Sequence, residues 1–127
     1  MEPVEIVREA YASHARGDIA GVFHLLADDV TIWQSKDVPW GGDYNGHAGA
    51  RDFFRQLAEH TTATPQPIAF VPAEDHVAVY GKLKGKANAT GKEFELNIIH
   101  LWQVTNGKIH RFEAFIDIPA MLSALRS

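Results

Sequence analysis

Asn106-Gly107 lies between two runs of strand-forming residues, Glu93–Val104 and Lys108–Ile116. Both residues of that pair accept the positive φ that a two-residue hairpin turn demands, so the runs must return on each other as antiparallel neighbours. Two further runs, Ile68–Val71 and His76–Lys84, have strand length and composition, and Thr90-Gly91 turns the second of them into the long run that follows. The C-terminal half is therefore a sheet built from hairpins.

The N-terminal half has a different period. Val4, Val7, Ala10, Tyr11 and His14 recur at helical spacing, Gly17 stops that helix, and Asp18 caps a second one carrying Ile19, Val22, Phe23 and Leu26. Asp28-Asp29 leads into a short strand, Val30–Gln34, and Ser35–Gly46, with Pro39, Gly41, Gly42 and Gly46, reads as loop. Ala50, Phe53, Phe54, Leu57 and Ala58 form the clearest helical stripe, and the helix they define ends across Thr61–Pro67. A last short helix opens at Asp117 and Pro119 and runs through Met121, Leu122 and Leu125. Helices segregated from hairpin-joined strands predict an α+β domain: three helices packed on one curved, mostly antiparallel sheet, with a short C-terminal helix. At 127 residues, 46% of them apolar, residues 1–127 read as one domain with a real core.

Several functions are excluded at this level. Twelve Lys and Arg against sixteen Asp and Glu give a net charge of -4, which is not the basic footprint of a nucleic-acid binder. No apolar stretch approaches the roughly 20 residues of a bilayer span. The start, Met1-Glu2-Pro3-Val4-Glu5, has no basic region of the secretory kind, so the expected setting is cytoplasmic. The absence of cysteine removes disulfides, thiolate metal sites and a Cys nucleophile. His14, His24, His47, His60, His76, His100 and His110 are scattered without metal-ligand spacing, and no glycine-rich nucleotide loop occurs, so neither metal nor cofactor is expected. His24 and His110 read as surface residues, and Lys82, Lys84 and Lys86 as a solvated strand edge.

The order of elements, together with Gly17-Asp18, Ala27-Asp28-Asp29-Val30, Tyr44-Asn45-Gly46, Asn106-Gly107-Lys108-Ile109 and Phe112–Asp117, resembles the nuclear transport factor 2-like superfamily. Within it the likeness is to SnoaL-like and ketosteroid-isomerase-like proteins, and it covers essentially the whole chain. The resemblance implies a cone-shaped fold with a deep apolar pocket at its open end and a homodimer formed through the outer sheet face. It does not imply one activity, because the superfamily spans isomerases, cyclases, hydrolases and non-enzymes.

Three chemistries follow from the resemblance. Ketosteroid isomerases use a carboxylate base and an oxyanion hole of a tyrosine and a neutral aspartic acid. Alignment puts Gln34 at the base and Ile99 at the acid, with Tyr11 close to the tyrosine, so that mechanism lacks its parts. The acid position of the epoxide hydrolases of this fold falls on Ala114. SnoaL-type cyclases need only a residue that moves a proton. Asp117, His100 and Asp37 are the candidates, with Gln34 and Tyr44 to orient a carbonyl. Asp117 is equally suited to cap the last helix, and His100 to face outward under a partner subunit, beside Trp102.

Trp33, Trp40 and Tyr44 either line the pocket mouth or plug it, and Tyr11, Phe54, Ile99, Phe112, Ala114 and Ile116 complete the expected ligand-binding set. On the last strand Phe112, Ala114 and Ile116 share one face, the better pocket wall, while Glu113 and Phe115 share the other. The expected ligand is an apolar small molecule with a carbonyl, handled by cofactor-free isomerisation, cyclisation or a lyase step. The alternative is a non-catalytic domain that binds a ligand or a protein, or sequesters a planar compound between its aromatic rings.

Overall fold

The computed structural model describes residues 1–126. Its elements are α1 (Pro3–Ala15), α2 (Ile19–Leu25), β1 (Leu26–Gln34), β2 (Gly42–Asn45), α3 (Gly46–His60), β3 (Thr61–Ala73), β4 (His76–Ala87), β5 (Glu93–Thr105), β6 (Lys108–Ile116) and α4 (Ile118–Leu125). The strands form one six-stranded sheet in the order β2-β1-β6-β5-β4-β3. Only β1 and β6 run parallel; every other pair is antiparallel. The α+β architecture expected from the sequence is the one observed, with α1–α3 before the long strands and α4 at the C-terminal end.

Local chemistry explains the helix starts. The Glu5 carboxylate accepts from the Glu2 backbone N–H at 2.9 Å, and Pro3 occupies a first-turn position that needs no donor. Asp18 accepts from the Gly21 N–H at 2.8 Å, and Asp117 from the Ala120 N–H at 3.2 Å. Each satisfies an amide that the first helical turn leaves without a backbone partner. Asn106 (φ 53°) and Gly107 (φ 75°) are both left-handed, as the hairpin turn requires.

The strands are longer than the sequence suggests. Thr61–Pro67, read as the end of the third helix, is the first half of β3. Prolines are tolerated there because β3 is the outermost strand and pairs only with β4. The register slips between Pro67 and Ala69, which extrudes Ile68 to 59% exposure opposite Gly81. A Cβ on Gly81 would lie 2.4 Å from the Gln66 carbonyl oxygen, so the strands approach this closely only with glycine there. Within the segment read as loop, Gly42–Asn45 forms β2 and pairs Tyr44 with Ile32. Asp28-Asp29 belongs to β1, where its pairing with β6 shifts register between Leu26 and Thr31.

Val7, Val30, Val77, Val79, Ile109 and Met121 are sealed from solvent in a core that joins α1, the sheet and α4. Burying each of these side chains fully is worth roughly 1.5–3 kcal/mol against leaving it exposed. Among the described residues no helix is long and apolar enough to cross a membrane.

Candidate functional site

Between the helices and one face of the sheet lies a cavity of about 570 Å³. Its helical wall comes from the face of α1 that carries Ala10, Tyr11 and His14 and from the Phe53, Phe54, Leu57 and Ala58 stripe of α3. Its sheet wall is set by strand alternation. His100 pairs with Ala114 and Trp102 with Phe112, while Gln34 and Ile32 of β1 meet Ala114 and Phe112 from the other side. All six of these side chains line the cavity. No carboxylate does, among the described residues.

The polar groups of the sheet wall are tied to one another. The Trp102 indole, which can only donate, gives its N–H to Tyr11 Oη at 3.0 Å. The Tyr11 proton then goes to His100 Nδ1, 2.6 Å away. Burial acts on both partners: it pushes the Tyr11 phenol up, keeping it protonated, and pushes His100 down to about 3. His100 is therefore a neutral imidazole near neutral pH, with Nδ1 as acceptor and its proton on Nε2. Nε2 has no partner among the described residues, where no sealed side-chain nitrogen or oxygen is left unpaired, so this N–H opens onto the cavity that His100 lines. A fixed, neutral donor in an apolar chamber can polarise a carbonyl or receive the charge of an enolate, and near neutral pH it does not take up a proton.

Gln34 is held in the same manner. Its amide donates to the Ala114 carbonyl at 3.2 Å, and its oxygen accepts from the Trp40 indole at 3.3 Å. Trp40 itself is almost sealed and lines the cavity from the β1–β2 connection.

Of the residues singled out from sequence, Tyr11, Gln34, Trp40, Phe54, His100, Phe112, Ala114 and Ile116 converge on this cavity. Five others lie elsewhere. Asp117 is the α4 cap. Asp37 is exposed in the turn after β1, its backbone N–H bonded to the Ser35 hydroxyl. Ile99 is 51% exposed because its neighbours Ile98 and His100 take the inward positions of β5. Trp33 alternates outward from Ile32 and Gln34 and packs on Phe115, ring centroids 5.1 Å apart. Tyr44 is buried behind the cavity, where its hydroxyl donates to the Trp40 carbonyl at 2.8 Å and positions that tryptophan. Trp102, expected at an outer interface, lines the cavity instead.

Other residues line the cavity as well, His14 and Arg55 among them. His14 was placed correctly on the apolar stripe of α1 but not in the site. Arg55 lines the cavity while pairing with Asp52 and Glu59 on the exposed side of α3. The signal for His14 was its spacing of three from Tyr11, which puts both on one helix face.

The model of the SnoaL-like domain matches residues 7–112. A nuclear transport factor 2-like protein of unknown function from Burkholderia pseudomallei has 26% identity over 100% of both chains, with a TM-score of 0.93. A nuclear transport factor 2-like protein from Burkholderia thailandensis has 32% identity over 100% of both chains, with a TM-score of 0.92. TerC, solved co-crystallised with polyporic acid, has 25% identity over 98% of both chains, with a TM-score of 0.90. Among curated proteins none matches the chain.

Proposed function

Since the chain belongs to the SnoaL-like domain family, we propose that its cavity binds an uncharged, apolar small molecule carrying a carbonyl. Any chemistry there is cofactor-free proton transfer of the isomerisation, cyclisation or lyase kind. The observation that carries the reading is the His100 Nε2–H, fixed by Tyr11 and Trp102 in a largely apolar wall. A ligand without an acceptor leaves that donor desolvated and unpaired, which costs about 1–3 kcal/mol. TerC, similar over nearly its whole length, holds a small molecule on the same fold.

The test is calorimetric titration with 2-acetonaphthone and with 2-ethylnaphthalene, which has the same ring and no carbonyl. The ketone binds about tenfold more tightly to the wild type, and His100→Leu removes the preference. Equal affinities in the wild type reject the reading.

The absence of a carboxylate from the cavity wall among the described residues favours the second reading, a domain that binds its ligand without transforming it. Turnover and binding are separated by the experiment that closes the next subsection.

The outer sheet face supports a proposal about assembly. Tyr80, Ile99 and Phe115 are 42%, 51% and 44% exposed, and they stand in register on three adjacent strands, Tyr80 beside Ile99 and Ile99 beside Phe115. This apolar row is the surface through which two copies pair. Sedimentation equilibrium at micromolar concentration gives a dimer mass, and Ile99→Glu gives a single chain; a wild-type monomer rejects the pairing.

A further inference from the structure

Each polar side chain of the cavity wall, taken in turn, has its hydrogen-bonding capacity largely spent on the protein, with one exception. Tyr11 bonds Trp102 and His100, Gln34 bonds Trp40 and Ala114, and Arg55 bonds Asp52 and Glu59. The Thr61 hydroxyl donates to the Leu57 carbonyl and that of Thr62 to Asn88. His100 offers only an N–H. His14 lines the same cavity, half-buried with its ring beside Phe54 at 6.4 Å, and neither of its nitrogens bonds any other described residue. Among the described residues it is the one base in the wall with an unengaged lone pair.

We infer that His14 is the proton acceptor of the cavity, acting opposite the His100 N–H on a carbonyl compound. The inference rests on the ligand class proposed above and adds a reaction to it. A His14 ring nitrogen takes a proton from the carbon next to the carbonyl. The C–H pair becomes the enolate double bond, and the charge on oxygen is met by the His100 Nε2–H. Where the carbonyl compound is β,γ-unsaturated the enolate is a conjugated dienolate, and the imidazolium of His14 returns the same proton to its γ-carbon, so no co-reactant is consumed.

The surroundings keep His14 in its base form. Its ring packs beside Phe54 of α3, and the groups that share the cavity wall with it are Arg55 from α3, neutral His100 from β5, Thr61 and Thr62 from β3, and Ile19 and Val22 from α2. Arg16, at the end of its own helix, is paired with Glu9 and Asp18. With no carboxylate among the described residues of the wall to hold a proton on it, burial places His14 below the ordinary imidazole value. The rate it supports is therefore flat at neutral pH and falls as acid protonates it.

5-Nitrobenzisoxazole tests this. Removal of its single ring C–H breaks the N–O bond and releases a coloured cyanonitrophenolate, with no other reagent. The wild type accelerates this elimination over buffer with an acid limb below pH 6.5. His14→Gln loses at least tenfold in kcat while binding 2-acetonaphthone as the wild type does. His14→Glu regains activity with its acid limb moved to lower pH. A His14→Gln rate equal to wild type, or a wild-type rate no better than buffer, with the ketone still bound, overturns the role of His14 alone. Failure of the wild type to bind the ketone overturns the ligand class and the inference together.

Discussion

The two faces of the β5–β6 hairpin are almost equally apolar and differ in how they are organised. The inner face carries Ile98, His100, Trp102, Phe112, Ala114 and Ile116, with two of its polar groups satisfied by Tyr11 across the cavity. The outer face carries Ile99, Leu101, Glu113 and Phe115; there Arg111 pairs with Glu113 at 3.3 Å along the strand and donates to the Thr31 hydroxyl of β1, both within the sheet itself. Hydrophobicity alone does not mark a site. A polar group desolvated inside an apolar wall, aimed and neutralised by partners, does, because such a group is retained only at an energetic cost.

The largest way to break this comparison is Trp102→Ala. The change removes a buried indole and withdraws the donor that fixes Tyr11, so it should cost about 3–5 kcal/mol in urea unfolding. Phe115→Ala, the same kind of truncation on the outer face, should cost the monomer about 1 kcal/mol or less. Equal losses would mean that the two walls are energetically alike.

Acid provides the next test. His100 holds a proton in the unfolded chain below about pH 6.5, but in the folded protein only near pH 3. Its contribution is complete above pH 6.5 and is lost as pH falls, with a slope approaching 1.4 kcal/mol per pH unit. His100→Gln is less stable than wild type at neutral pH, and the gap should narrow between pH 6.5 and 4 in urea midpoints. A constant gap would place a charged imidazole in the folded wall.

The smallest effect sharpens the boundary of the site. Asp117→Ala should cost about 1 kcal/mol through loss of the α4 cap. Ketone affinity and the elimination rate should stay at wild-type values. A drop in either would bring the end of β6 into the chemistry.

Much of the architecture was legible because it is written in local patterns. The Phe53-Phe54-Leu57-Ala58 stripe defines α3 and its cavity face, and the inner face of β6 follows from alternation alone. The facing of β5 was not legible, and the reason is one residue. Thr105 pairs with Lys108 and Val104 with Ile109 beside the Asn106-Gly107 turn, but Gln103 pairs with Arg111. His110 is the extra residue of this bulge. Counted from the turn without it, His100 would stand beside Glu113 on the outer face; with it, His100 stands beside Ala114 on the cavity. The same slip explains why Ile99 was assigned inward. Asp117 was ambiguous for another reason: a carboxylate before Ile-Pro at a strand end serves a helix cap or a site equally well until its hydrogen bond is seen.

The position of β3 at the rim of the sheet has a consequence for the protein at high concentration. Thirteen residues of strand leave one side of their backbone unpaired, and such a border invites strand-to-strand stacking with other molecules. Pro65, Pro67 and Pro72 carry no amide hydrogen to offer a newcomer, and the protruding Ile68 spoils the flatness that fibrils need. A chain with Pro67 and Pro72, which do not line the cavity, replaced by valine would be far more prone to precipitate.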